Sequence, residues 1–169
     1  DVWGYPDAQG REYALVGLTN GVSIVDIHSD STAIREVAFV PGPASTWRDL
    51  KTYQDFAYVT TEADTGLLII DLRLLPQRAA YRYDTLSIGL RTAHNLFIDS
   101  SGRAFIFGSN LANGGAVILD LTGPDPFQPT LLGYYSDDYI HDGYVRHDTL
   151  WSAEIYKGWI AAVDVSDPA

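Results

Sequence analysis

The chain has 169 residues, 46% hydrophobic and 20% charged, with no cysteine, no methionine and a formal net charge of −11. This is the composition of a folded globular domain, and its acidity argues against a nucleic-acid binder, which needs a basic face for the phosphates. Without cysteine there is no disulfide, thiolate metal site or cysteine nucleophile, and no apolar run is long enough to span a membrane.

Residues 1–5 are a short, partly apolar segment, and 6–10 are rich in turn formers. Residues 13–18 read as a strand, and Asn20-Gly21 marks a tight hairpin that returns through 22–27. After a polar loop containing His28, residues 34–40 give a further strand, which Pro41-Gly42-Pro43 stops. The same beats recur at 47–53, 56–61, 67–72 and 80–84, then at 94–99, 103–109, 116–121 and 130–135. A last set, 140–145, 150–156 and 159–165, has no fourth strand. Only 72–78 carries a weak helical period. Missing the methionine, the chain is expected to begin inside a longer precursor or as a processed form.

One stretch ties these sets together. Glycine, an apolar run, an aspartate and one more apolar residue recur around Asp26, Asp71, Asp120 and Asp164, which are 45, 49 and 44 residues apart. A fixed period of this length with four strands per unit predicts an all-β fold, a β-propeller of four-stranded antiparallel blades. The predicted blades are roughly 1–43, 44–90, 91–136 and 137–169, forming one propeller or partial propeller. The third strand of each unit is apolar on both faces, as expected of a sheet packed between two others. The repeated aspartates are expected to cap the turns that follow them. Because the last blade lacks its outer strand, the chain is expected to be part of a larger ring, or to pair that open edge with another chain.

The segments 1–5, 12–17, 21–27, 47–53, 93–99 (Ala-His-Asn-Leu-Phe-Ile-Asp), 139–142 (Tyr-Ile-His-Asp) and 163–168 (Val-Asp-Val-Ser-Asp-Pro) resemble the bacterial choice-of-anchor B proteins, whose LVIVD-type repeats form propeller blades. The resemblance implies a secreted or surface-anchored protein with further repeats and a C-terminal anchor, and implies no reaction. Blades one and two depart from the usual Ser-Asp-Pro turn, with Ile27-His28-Ser29-Asp30 and Leu72-Arg73-Leu74-Leu75 in its place.

Aligning the units on their first strands places Asp1, Asp49, Asn95 and Asp142 in one column, with Arg48, His94 and His141 immediately before the last three. The first strand of a blade is innermost, so this column should ring one mouth of the central channel. Glu62, Asn110 and Glu154, near the ends of second strands, should return to the same face. Arg48, Asp49, Glu62, Asn95, Asn110 and Glu154 are therefore candidate ligand-binding residues. His94, His141 and Asp142 are candidate ligands of a divalent ion, a transition metal or calcium. The competing expectation is structural, with Arg48 paired to the flanking aspartates. No Gly-x-Ser-x-Gly elbow accompanies Ser45, Thr46 or Thr92, and a carboxylate pair such as Glu62 and Asp142 gives only a faint glycosidase pattern. His147 is placed on the opposite face. The tryptophans and most tyrosines are expected to pack between blades, with Tyr134, Tyr135 and Tyr139 as exceptions.

These features favour an extracytoplasmic or cell-surface scaffold that binds a protein partner or small ligand at one channel mouth without chemistry. The alternatives are a metal-dependent enzyme of the outer compartment using the same ring, and an accessory subunit of a larger assembly. No catalytic residue is assigned, and neither nucleic acid nor a membrane span is expected.

Overall fold

The structure, a computed structural model, describes residues 1–27 and 34–168; His28 and the turn at 29–30 lie outside the described residues. Among the described residues fifteen strands follow one another: β1 (Val2–Pro6), β2 (Glu12–Leu18), β3 (Gly21–Asp26), β4 (Arg35–Pro41), β5 (Leu50–Tyr53), β6 (Phe56–Val59), β7 (Leu67–Asp71), β8 (Ala80–Asp84), β9 (Asn95–Ile98), β10 (Arg103–Phe107), β11 (Ala116–Asp120), β12 (Thr130–Tyr135), β13 (Asp142–Arg146), β14 (Thr149–Glu154) and β15 (Trp159–Asp164). They form four antiparallel sheets in chain order, β1–β4, β5–β8, β9–β12 and the three-stranded β13–β15. The all-β fold of blade-like sheets, the last one short of a strand, is the one the repeat predicts.

The apolar residues explain why the sheets stack. Three core clusters run between consecutive sheets, one from Leu15 and Ile24 to Leu68 and Ile70, one from Tyr58 and Ile69 to Ile106 and Leu119, and one from Phe105 and Ile118 to Val145 and Leu150. Within β7, Leu68 and Ile70 face the first sheet while Leu67 and Ile69 face the third, so alternate side chains supply two different cores. This is why the third strands carry no polar alternation. The first strands β1, β5, β9 and β13 lie side by side in that order, along one inner line.

The repeated glycine is dictated by its outer neighbour. A Cβ on Gly21, Gly66 or Gly115 would fall on the carbonyl oxygen of Val40, Asp84 or Tyr135, each on the fourth strand of its own sheet. Gly66 is also at φ +79, where only glycine is unstrained. Gly158, in the sheet without a fourth strand, has nothing within 4 Å of such a Cβ. The aspartates cap turns: Asp71, Asp120 and Asp164 accept the backbone N–H two residues on, at 3.0, 2.8 and 2.9 Å.

Two expectations need correction. Residues 73–77 are a run of turns rather than a helix, since Pro76 has no N–H to continue one. Strand β5 begins at Leu50, not Trp47, because pairing with β6 starts at Leu50 opposite Val59.

Candidate functional site

The four first strands deliver their opening residues to one place. Asp1, Asp49, Asn95 and Asp142 line a single cavity of about 520 Å³, together with Arg48, His94 and His141. Each of three members of this column closes a tight bond onto the strand that it opens. Asp49 Oδ1 accepts from Leu50 N–H at 2.8 Å, Asn95 Oδ1 from Leu96 N–H at 2.8 Å, and Asp142 Oδ1 from Gly143 N–H at 2.7 Å. A short oxygen-bearing side chain at a strand start can satisfy that donor, which explains the repetition of Asp and Asn there.

The two histidines are neighbours. Their ring centroids are 4.2 Å apart with planes at 51°, and the Trp47 indole lies 5.6 Å from His94. Glu62, from the loop after β6, meets His94 Nδ1 at 2.7 Å. When His94 carries its proton on Nδ1 it donates to this carboxylate, which orients the ring and leaves Nε2 as an acceptor. Trp47 is half exposed at the mouth. It offers a flat apolar surface beside two imidazoles, the Asn95 amide and the Asp142 carboxylate, a mixed lining suited to orienting a small polar ligand.

The metal set is a different matter. Among the described residues no group of three or more His, Asp and Glu side chains stands close enough together to hold a metal ion. His94 is engaged by Glu62, and Asp142 by the backbone of its own strand.

Three of the expected ligand-binding residues have polar groups engaged within the protein, and two of them, Asn110 and Glu154, are not in the cavity lining. Arg48 does not pair with the aspartates: it is buried and donates to the carbonyls of Leu18 (3.1 Å) and Pro43 (2.7 Å), tying the first sheet to the second. Burial lowers its pKa from the ordinary guanidinium value. Asn110 accepts the N–H groups of Arg91 (2.7 Å) and Thr92 (3.1 Å) and donates to the carbonyl of Gly89 (2.9 Å), clamping one loop. Glu154 is buried and accepts from Trp159 Nε1 (2.5 Å), Ser152 Oγ (2.9 Å) and Tyr135 Oη (3.1 Å). Burial by itself would raise its pKa, but these three donors outweigh it and hold the carboxyl below its usual range. Tyr135 is in turn pushed up to about 12, first by burial and then by its bond to Glu154.

The pairing that Arg48 was expected to make belongs to Lys51. Its Nζ lies 2.6 Å from Asp49 and 3.5 Å from Asp1, and 4.8 Å from the centroid of the Trp3 ring. The signal was present in the sequence, since Asp49 and Lys51 lie two apart across a strand start and so share a side. Trp47, expected in packing, also faces the mouth. Of the tyrosines expected to be free, Tyr134 is exposed and Tyr135 is held by Glu154. Tyr139 packs against Tyr156, with centroids 4.8 Å apart and planes tilted at 43°. The far ends of β9 and β13 frame a larger cleft of about 640 Å³, lined by Phe97, Tyr144, Arg146 and His147 among others, so His147 is at the opposite end from His94. That cleft is bigger, but it lacks the repeat-related polar column.

A family model described as LVIVD repeat matches residues 11–40 and 45–72. Repeats of this type build β-propeller blades, and the two matches span β2 to β4 of the first sheet and β5 to β7 of the second. No curated protein and no solved structure matches the chain.

Proposed function

We propose that this β-propeller scaffold works in the outer compartment and binds a small polar ligand, or an exposed segment of a partner protein, at the mouth lined by Trp47, His94, Asn95, His141 and Asp142. The observation that carries the reading is the shared cavity. Four repeat-equivalent strand starts converge on about 520 Å³, with an aromatic wall and a pair of imidazoles, of which His94 is held by Glu62. The location rests on the resemblance to choice-of-anchor B proteins and on the matched repeat; no helix among the described residues is long and apolar enough to cross a membrane. The metal-dependent enzyme receives no support from the donor geometry.

The test is a titration of the protein with monosaccharides and free amino acids as probes, followed by the imidazole NMR signals of His94 and His141 and by tryptophan fluorescence. At least one probe is expected to shift both histidines, with the response reduced at least tenfold in Trp47→Ala and His141→Ala. If no probe moves either imidazole, the mouth is not a small-ligand site. Glu62→Gln is expected to weaken binding less, because the ring retains an acceptor for Nδ1–H.

A further inference from the structure

Beside the mouth, one tyrosine is seated by two glycines. A Cβ on Gly114 would fall 2.5 Å from the Tyr139 ring, and one on Gly108 would fall 2.9 Å from its hydroxyl. Both glycines have positive φ, +78 and +60, a conformation in which other residues are strained. The Gly114 carbonyl accepts the N–H groups of Ile140 (3.0 Å) and Gly108 (3.1 Å), which ties the segment before β13 to the third sheet. Tyr156, from the turn between β14 and β15, also packs against the ring. The side chain is therefore held by two loops.

This seat brings the hydroxyl to the mouth. The same Cβ position on Gly108 lies 2.7 Å from the Cβ of His94, so the Tyr139 hydroxyl and the His94 side chain flank one point. Burial raises the pKa of Tyr139, as do its neighbours Tyr156 and Glu62, so the group stays a proton donor at neutral pH. Among the described residues that hydroxyl has no hydrogen-bond partner. It is free to donate to a ligand.

A row of rings results, with Trp47 just before β5, His94 just before β9, and His141 and Tyr139 just before β13. Glu62, Asn95 and Asp142 supply polar groups beside it. Flat ring faces next to hydroxyl-binding groups match a chain of pyranose sugars, whose C–H faces are apolar and whose hydroxyls project from the edges. The row crosses strand ends and does not follow a strand edge, so it offers no ladder to a peptide backbone. Charge disfavours an anionic ligand. Among the described residues at this end, Arg48 is engaged by two carbonyls, Lys51 by Asp49, Arg91 by Asp64 and Lys157 by Asp138. Glu62 and Asp142 would repel a carboxylate or sulfate.

We propose that Tyr139 is a second contact point of the mouth site, and that the ligand is a linear neutral glycan of two or more sugars. This rests on the reading of the mouth as a small-ligand site. One sugar lies against Trp47 and the imidazoles, and the next reaches the Tyr139 hydroxyl.

Calorimetric titration with glucose, cellobiose and cellotriose tests this, with the imidazole NMR signals of His94 and His141 recorded alongside. Affinity is expected to rise about tenfold from glucose to cellotriose, since the longer chain adds a hydrogen bond and buried C–H surface. Tyr139→Phe keeps the seated ring and should cut that ratio about fivefold, the size of one neutral hydrogen bond. Trp47→Ala should weaken every sugar. If glucose moves both imidazoles and cellotriose binds no tighter, the extended glycan is overturned while the small-ligand mouth stands. An amino acid that binds where no sugar does overturns the glycan alone. If no probe moves either imidazole, both readings fall. A wild-type ratio in Tyr139→Phe removes Tyr139 from the site and overturns the proposal. Tetraglycine binding tighter than cellotriose overturns it too, and assigns the row to a peptide.

Discussion

Asp49, immediately before β5, accepts the backbone N–H of Leu96 in β9 across 3.0 Å, so a residue at the mouth also joins the second sheet to the third. Its other oxygen holds Leu50 N–H and Lys51. Asp49→Ala leaves Leu96 N–H with Asn95 as its acceptor but takes the side-chain acceptor from Leu50 N–H and the partner from Lys51, and is expected to cost about 2 kcal/mol. Asp49→Asn, which keeps one acceptor oxygen, should lose about half as much. Urea denaturation of both variants checks this.

Glu154 should govern the acid limb of stability. Its carboxyl is held below the usual range in the folded protein, so the stabilisation it gives is complete above the unfolded value and is lost as pH falls through the folded one. Glu154→Gln should be less stable at neutral pH by about 2–3 kcal/mol, because the amide cannot serve all three donors. It should also show a shallower loss of stability in acid. Denaturation midpoints measured across the acid range, wild type against variant, decide the point.

Tyr135 gives the opposite slope. Its hydroxyl is raised to about 12, so its contribution is intact below the unfolded tyrosine value and disappears as pH rises through the folded one. Tyr135→Phe should remove that alkaline step, as read from stability against pH, and should cost about 1 kcal/mol at neutral pH.

The repeated glycines should differ in tolerance. Gly66→Ala meets the Asp84 carbonyl and a positive φ, and is expected to cost upwards of about 2 kcal/mol. Gly158→Ala, at φ +74 but with open space around it, should cost only the backbone strain, about 1 kcal/mol. Thermal melts of the pair separate the steric from the backbone contribution.

The strands and their grouping were legible because each third strand feeds two cores and so carries an unbroken apolar run between a glycine and an aspartate. The mouth column was legible for a related reason: aligned repeats place Asp49, Asn95 and Asp142 at the same strand end, and packing of the first strands brings them together. Side-chain direction was not. Arg48 and Glu154 are charged, and charged residues near strand ends are ordinarily solvated. Here Arg48 finds backbone carbonyls 5 and 30 residues away, and Glu154 finds Trp159 and Tyr135, 5 and 19 residues away, besides Ser152 on its own strand; the distant partners leave no local pattern. Trp47 was misplaced because an aromatic at a repeat position fits packing and a binding wall equally well.

Each of the three apolar clusters is shared by two neighbouring sheets, so an inner sheet is gripped from both sides and an end sheet from one. The second and third sheets should therefore open least readily, because each is held through both of its faces. Amide exchange would then run slowest in β7 and β11, whose alternate side chains feed a core on either side.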